Sequence, residues 1–264
     1  MTHRTYLFVP GDRPERFDKA VAAGPDVTVL DLEDAVLPEA KPAAREAIRG
    51  WLVAGGRAAV RINPEGTEWH DEDVALLSTP GVTHALVPKA EDPAALARLA
   101  AALPAGLPIV PVIESALGLF NAREIAAAPG VVQLAFGSVD FQLDAGIEAE
   151  GEALLYARSH LVLASAVARI APPVDGVTVA LDDPGQLEAD TKRAKALGFA
   201  GKLCIHPKQV AGVHAAFAPA EAEVTRARAI VAAAEATTAG AIRLDGKLID
   251  RPVVEQARRV LARA

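Results

Sequence analysis

Eight short runs dominated by Val, Ile, Leu and Ala recur along this chain, and each is followed by a stretch whose apolar residues return at helical spacing. The runs cover residues 5–9, 27–31, 58–62, 84–87, 109–113, 132–136, 173–177 and 202–205. The helical stretches cover 14–23, 41–54, 71–77, 93–103, 116–127, 152–170, 184–197 and 220–237. Such an alternation predicts βα units on a parallel sheet. Ala59-Val60-Arg61-Ile62 and Ile109-Val110-Pro111-Val112-Ile113 are apolar almost throughout, as strands covered on both faces must be. Eight units in 264 residues match the roughly 250 residues of one (β/α)₈, or TIM, barrel. An open dinucleotide-binding sheet is the alternative, but no Gly-x-Gly-x-x-Gly follows the first run. The expectation is an α/β barrel domain over 1–238 and a surplus tail over 239–264. The tail reads as a turn at Asp245-Gly246, an extended piece and a helix from about Pro252. A segment the barrel does not need is expected to cover something or to reach a neighbouring subunit.

In such a barrel the chemistry sits at the carboxyl ends of the strands, and the unusual polar residues gather there. The first run ends in Pro10-Gly11-Asp12-Arg13, the second in Asp31-Leu32-Glu33-Asp34 and the third in Arg61-Ile62-Asn63-Pro64. The fourth ends in Pro88-Lys89-Ala90-Glu91, the fifth in Ile113-Glu114-Ser115 and the sixth in Gly137-Ser138-Val139-Asp140. The eighth ends in Cys204-Ile205-His206-Pro207-Lys208. Charges placed for solubility alone would be spread over the outer helices instead.

Glu114 and Asp140 are isolated carboxylates at the ends of adjacent strands. Such a pair suits Mg²⁺, which takes one or two carboxylates and completes its octahedron with water and substrate oxygens. The plainer alternative is that they cap helices or pair with Arg61 and Lys89. Zinc is disfavoured, because the six histidines show no HExxH spacing and there is one cysteine. Arg61 ends an apolar strand, where a guanidinium is costly unless it meets an anion. Its planar fork fits a substrate carboxylate or an enolate oxygen; a salt bridge to Glu33 or Asp34 is the structural alternative, and both can hold together. Glu33 and Asp34 are read as supports behind the metal, holding its water or orienting Arg61, with a solvated loop as the other reading. Gly137-Ser138 is a turn of the kind that offers backbone N–H groups to an anion. His206 is either a base or a structural hydrogen-bonder, and Cys204 is expected to pack within its strand.

Composition narrows the function. A net charge of −7 argues against a broad nucleic-acid footprint. No stretch approaches the ~20 apolar residues of a membrane span, and Met1-Thr2-His3-Arg4 with a short apolar run is not expected to be an export signal. A lone cysteine fits a reducing, cytoplasmic compartment.

Taken in order, Thr5-Tyr6-Leu7-Phe8-Val9-Pro10-Gly11, Asp31-Leu32-Glu33-Asp34-Ala35-Val36, Arg61-Ile62-Asn63-Pro64, Val87-Pro88-Lys89 and Ile113-Glu114-Ser115 resemble the citrate lyase β-subunit (citryl-CoA lyase) family, part of the HpcH/HpaI aldolase and malyl-CoA lyase superfamily. Phe136-Gly137-Ser138-Val139-Asp140-Phe141 and Cys204-Ile205-His206-Pro207-Lys208-Gln209 extend the likeness, which runs from about Arg4 to the end. The resemblance implies a TIM barrel, Mg²⁺ held by Glu114 and Asp140, and Arg61 as the electrophilic residue. It also implies a homotrimer, or a multiple of one, in which one subunit's tail closes the next subunit's site. In malyl-CoA-type relatives a tail aspartate acts as acid/base; Asp250 is the matching residue here, with Asp245 as the fallback.

The reaction so implied is reversible cleavage of a 3-hydroxy-3-carboxyacyl-CoA thioester, such as citryl-CoA to oxaloacetate and acetyl-CoA. Gly137 and Ser138 would bind the substrate carboxylate through their amides. Arg13, Arg16 and Lys19 would receive CoA phosphates, unless they simply start an exposed helix. The alternatives are a citramalyl- or malyl-CoA lyase or malate-synthase-like enzyme, a CoA-independent class II hydroxy-oxoacid aldolase, and a subunit that binds an acyl-carrier protein in a citrate lyase complex.

Overall fold

The computed structural model describes residues 3–236, 241–244 and 246–263, and within it eight parallel strands close into a barrel in chain order. They are β1 Thr5–Pro10, β2 Val27–Asp31, β3 Ala58–Arg61, β4 Val82–Val87, β5 Ile109–Ile113, β6 Gln133–Phe136, β7 Ala171–Asp175 and β8 Gly201–Cys204. Leu7 of β1 lies opposite Thr28 on one side and Cys204 on the other, which closes the ring. The TIM-barrel expectation therefore holds, and each strand lies within two residues of its expected bounds.

The outer helices are α1 Phe17–Ala22, α2 Lys41–Val53, α3 His70–Leu76, α4 Pro93–Ala102, α5 Ala116–Phe120, α6 Ala122–Ala126, α7 Ser138–Ala145, α8 Leu155–Ala168, α9 Pro184–Leu197 and α10 Lys208–Phe217. Two of them start with one device, an aspartate cap followed by proline. Asp92 accepts from the N–H groups of Ala94 and Ala95, and Asp183 from that of Gln186. Each satisfies amides that the helix itself leaves unpaired.

Three elements depart from the sequence reading. The 116–127 stretch breaks into α5 and α6 at Asn121, whose side chain is drawn off to the carbonyl of Glu91 at 2.8 Å. Helix α7 carries no apolar stripe in the sequence, because Val139 and Leu143 face outward, 48% and 83% exposed. The helix that follows β8 is α10, with Val210, Val213 and Phe217 buried, rather than the 220–237 stretch.

The chain divides into two compact units, Met1–His214 and Ala215–Ala264. The second holds α11 Glu221–Glu235, a hairpin of β9 Ala241–Leu244 and β10 Lys247–Asp250, and α12 Arg251–Leu261. Its core joins Ala227 and Ile230 of α11 to Ile249 and Ala257. That packing explains why the division falls earlier than the expected 238/239 boundary: α11 is buried against the tail elements. Asp245 lies outside the described residues. Among the described residues no helix is long and apolar enough to cross a membrane.

At the amino-terminal end of the barrel the rings of His3 and His84 meet edge to face, 5.4 Å between centroids. Burial, with His3 beside it, pushes His84 down to about 4 from an ordinary 6.5. The unfolded chain therefore takes up this proton first as pH falls. The stability His84 contributes is present above pH 6.5 and is lost as pH drops through about 4. The variant His84→Gln carries no such proton and is expected to lose less Tm than wild type between these two pH values. Parallel acid profiles for the two proteins would assign the loss to other groups.

Candidate active site

Side chains alternate along a strand, so residues two apart share a face. The barrel interior is filled by Val27 and Val29 of β2, Ala59 of β3, Val110 and Val112 of β5 and Ala135 of β6, among others. One further step of two residues reaches Asp31, Arg61, Glu114 and Gly137. The pleat that packs the core thus delivers these four to the carboxyl end of the barrel. A cavity of about 360 Å³ opens there, lined by Asp31, Asp34, Arg61, Glu114, Ser138 and Asp140 on its polar side. Its remaining wall includes Phe8, Val112, Val177, Leu203 and Ile205.

Arg61 is the best-anchored group in this cavity. The β2/β3 register sets Asp31 beside Arg61, and the two form a bidentate pair, with Nε to Oδ1 and Nη2 to Oδ2 both at 2.7 Å. Nη1 meets Glu33 Oε2 at 2.7 Å and lies 3.7 Å from Asp34 Oδ2. The guanidinium stands over the Phe8 ring, 4.9 Å from its centroid. Burial works against its charge, but Asp31, Glu33 and Asp34 outweigh burial and hold its pKa above the ordinary value. Asp31 takes the Nε–H and one N–H of Nη2, which leaves further N–H donors on the terminal nitrogens.

The loop bearing Glu33 is itself clamped. Lys41 Nζ donates to the carbonyls of Leu32 at 2.7 Å and Glu33 at 2.8 Å. Asn63 Nδ2 donates to the same Leu32 carbonyl at 3.0 Å and to Asp73 Oδ2 at 2.6 Å, and Arg45 Nε reaches Asp73 Oδ1 at 2.8 Å. These buried contacts tie the β2 and β3 loops together beneath Arg61. Glu33 and Asp34 lie beside the guanidinium at 2.7 and 3.7 Å, and Asp31 is its principal partner.

Glu114 is a carboxylate under electrical stress. Burial raises its pKa to about 8, with Glu33 and Asp140 adding to the rise. Its Oε1 accepts the Lys89 N–H at 2.7 Å, and no protein donor among the described residues reaches Oε2. Lys89 adopts φ 48°, uncommon for a non-glycine residue; this turns its amide toward Glu114 while its Nζ meets Glu33 Oε1 at 3.1 Å. Asp140 stands half-buried in the first turn of α7. Among the described residues no three His, Cys, Asp or Glu side chains are grouped to hold a metal alone. Glu114 and Asp140 are instead two carboxylates that an ion could share with a ligand's oxygens.

Gly137 serves differently from its expected role. Its N–H is spent on the carbonyl of Ile113 at 2.9 Å, so it has no amide to offer a carboxylate. A Cβ at this position would sit 2.5 Å from Glu114 Cβ, so only glycine leaves room for Glu114. The amides that the helix leaves over begin one residue on. The first helical bond of α7 runs from Phe141 N–H to Gly137 O, which leaves the N–H groups of Ser138, Val139 and Asp140 without helical partners. Ser138 Oγ is buried and has no hydrogen-bond partner among the described residues.

Residues 4–207 match the HpcH/HpaI aldolase/citrate lyase family. The chain belongs to that family. A citrate lyase subunit beta-like protein of Deinococcus radiodurans is 39% identical over 98% of this chain and 96% of its own length. A (3S)-malyl-CoA thioesterase of Cereibacter sphaeroides is 34% identical over 99% and 94% respectively. The CitE protein of Mycobacterium tuberculosis, solved with magnesium, acetoacetate and coenzyme A, superposes with a TM-score of 0.88 at 34% identity, covering 100% of this chain and 98% of that one.

The other candidates in the first unit of this HpcH/HpaI-family barrel are not part of the described cavity lining. Arg13 and Arg16 flank the turn after β1, each within reach of Glu15 at 2.9 and 3.8 Å, and Lys19 is exposed on α1. His206 accepts the Lys208 N–H on Nδ1 at 3.1 Å, a structural hydrogen bond at the start of α10. Cys204 is buried, with its thiol pushed up to about 12 by burial. Asp250 caps α12, its Oδ1 accepting the Val253 N–H at 3.3 Å.

Proposed function

We propose that this chain is a Mg²⁺-dependent carbon–carbon lyase that cleaves, or in reverse forms, a 3-hydroxy-3-carboxyacyl-CoA thioester. The observation that carries this reading is the stressed carboxylate Glu114, paired with Asp140 in one cavity with a guanidinium that Asp31 and Glu33 hold rigid. The donor set fits Mg²⁺: two carboxylates with room for water and substrate oxygens. A cation at Glu114 would also remove the penalty that now raises its pKa. When bound, Mg²⁺ supplies a Lewis acid to the hydroxyl and carboxylate oxygens of the 2-oxoacid half. The solved relative carrying magnesium, acetoacetate and coenzyme A supports the same ligand classes here.

The chain's own groups then divide the work. The amides of Ser138, Val139 and Asp140 receive the oxoacid carboxylate at the positive end of α7. Terminal N–H groups of Arg61 that Asp31 does not take stabilise the oxygen of the thioester enolate as the carbon–carbon bond breaks. The electron pair of that bond passes to the enolate, and the hydroxyl proton passes to water as the new carbonyl forms. Asp250, from the tail of a neighbouring subunit, protonates the enolate carbon. Arg13, Arg16 and Lys19 receive CoA phosphates. A homotrimer, or a multiple of one, would supply the neighbour, and Leu117 and Phe120 on α5 with Leu143 on α7, each more than half exposed, offer apolar surface for it. The buried free thiol of Cys204 accords with a cytoplasmic setting.

Incubation with malyl-, citramalyl- and citryl-CoA is expected to release a 2-oxoacid from at least one of them, and EDTA to stop the release. Turnover of free 4-hydroxy-2-oxoacids instead would make the protein a CoA-independent aldolase. Silence on every free thioester, with Mg²⁺ still bound, would point to a carrier-bound substrate in a citrate lyase complex. Asp250→Asn is expected to lower cleavage by about 100-fold or more, the span of general acid–base catalysis, with Mg²⁺ affinity by calorimetry unchanged. Undiminished cleavage by that variant would move the acid/base elsewhere.

A further inference from the structure

The two carboxylates offered to a metal stand on different elements, Glu114 at the end of β5 and Asp140 in the first turn of α7. Their separation is only as fixed as α7 is against the end of β5. Packing holds α7 weakly: of its eight residues Ser138 and Phe141 are buried, while Val139 and Leu143 face outward. Two hydrogen bonds bracket the pair instead. Just before Glu114, the carbonyl of Ile113 accepts the Gly137 N–H at 2.9 Å. Just beyond it, the Ala116 N–H donates to Asp144 Oδ2 at 2.7 Å. Ser115, the cap of α5, serves the Gly118 N–H at 3.1 Å, so Ala116 draws its acceptor from α7. Asp140 lies between these two clamps, one helical turn from Asp144 and on the same face.

The first clamp is backbone on both sides, whereas the second depends on one side chain. That side chain is exposed and stands in the last turn of α7, where a carboxylate opposes the helix dipole. Local helix stability gives no reason for an aspartate there; its bond to Ala116 does. We infer that Asp144 is a positioning residue for the metal, setting the Glu114–Asp140 spacing by tying α7 to the segment that bears Glu114. Mg²⁺ demands near-ideal octahedral geometry, whereas Ca²⁺ accepts longer and less regular contacts. The clamp therefore favours the smaller ion. This inference rests on the Mg²⁺ reading of the cavity and adds to it a residue outside the cavity lining.

The test is calorimetric titration of the full-length protein with Mg²⁺ and with Ca²⁺, without substrate. Asp144→Ala is expected to weaken Mg²⁺ binding by about 10-fold or more, the cost of removing a group that orients a metal's ligands. Ca²⁺ binding should weaken by about 3-fold or less, because its geometry is the more forgiving. Asp144→Asn keeps an oxygen for the Ala116 N–H and is expected to restore the preference for Mg²⁺. Because the side chain is exposed, Tm should fall by no more than about 4 °C in either variant. Equal losses of Mg²⁺ and Ca²⁺ affinity in Asp144→Ala would overturn the inference, since a general loosening or a lost charge weakens both. Wild-type Mg²⁺ affinity in Asp144→Ala would also overturn it, as would Asp144→Asn binding as weakly as Asp144→Ala. Absence of Mg²⁺ binding by the wild-type protein would overturn the metal reading itself, and this inference with it.

Discussion

Asp140→Ala and Glu114→Gln are each expected to abolish Mg²⁺-dependent turnover while leaving the barrel folded. Groups that merely orient a metal's ligands cost 10–100-fold when removed, so loss of a ligand itself should cost about 100-fold or more. The two variants should separate in stability. Asp140 is half-buried and makes no hydrogen bond to its side chain among the described residues, so its loss should be nearly neutral, within about 0.5 kcal/mol. Glu114 is a carboxylate that its surroundings penalise when charged. Glutamine keeps an acceptor for the Lys89 amide and discards the charge. The metal-free Glu114→Gln protein should therefore melt at or above wild type near neutral pH. Wild-type rates in either variant would remove the metal assignment, and a lower apo Tm for Glu114→Gln would show that its carboxylate is stabilised by contacts this structure lacks.

Arg61 produces the second large effect, and here stability and activity fall together. Arg61→Ala leaves Asp31 and Glu33 buried, both under 5% exposed, with their principal counter-charge gone. Removing one partner of a buried ion pair costs about 3–5 kcal/mol. Arg61→Lys separates the two roles. The ammonium retains the charge but cannot span Asp31 and Glu33 while presenting two donors to the cavity. It should recover much of the stability yet remain about 10²–10³-fold slow in kcat, the usual cost of one lost oxyanion donor. Chemical denaturation and steady-state kinetics on the three proteins measure both quantities. A lysine variant with wild-type kcat would reduce Arg61 to a structural ion pair.

The barrel was legible because eight apolar runs must be buried on both faces, and their spacing leaves one closed arrangement. The site was legible in part for the same reason. Glu114 and Arg61 continue the inward-facing series of β5 and β3, Val110-Val112-Glu114 and Ala59-Arg61. The same parity marks Asp31 after Val27 and Val29, so the principal partner of Arg61 was readable, although Glu33 and Asp34 drew attention first. Gly137 was not readable in its true role. A Gly-Ser turn suggests free amides, but whether the glycine N–H is free depends on the β5/β6 pairing, which delivers it to Ile113. The clash that excludes a Cβ there depends on the neighbouring strand too. Lys89 was hidden because its part is conformational: a left-handed backbone that aims an amide at one carboxylate while the side chain reaches another. The tail misled through α11, whose apolar residues have helical spacing but pack against Ile249 and Ala257. Periodicity shows that a helix has a buried face without showing what buries it.

The proposed activity is that of a carbon–carbon lyase, in a family that includes a relative named as a thioesterase. The most direct measurement is the product balance from malyl-CoA or citramalyl-CoA with Mg²⁺, quantifying 2-oxoacid, acetyl-CoA and free thiol in one reaction. A lyase yields oxoacid and acetyl-CoA in equal amounts with no free thiol, and that is the expected result. Free thiol released with the intact hydroxy-dicarboxylate, and no oxoacid, would mean that the thioester bond is hydrolysed instead and would contradict the account.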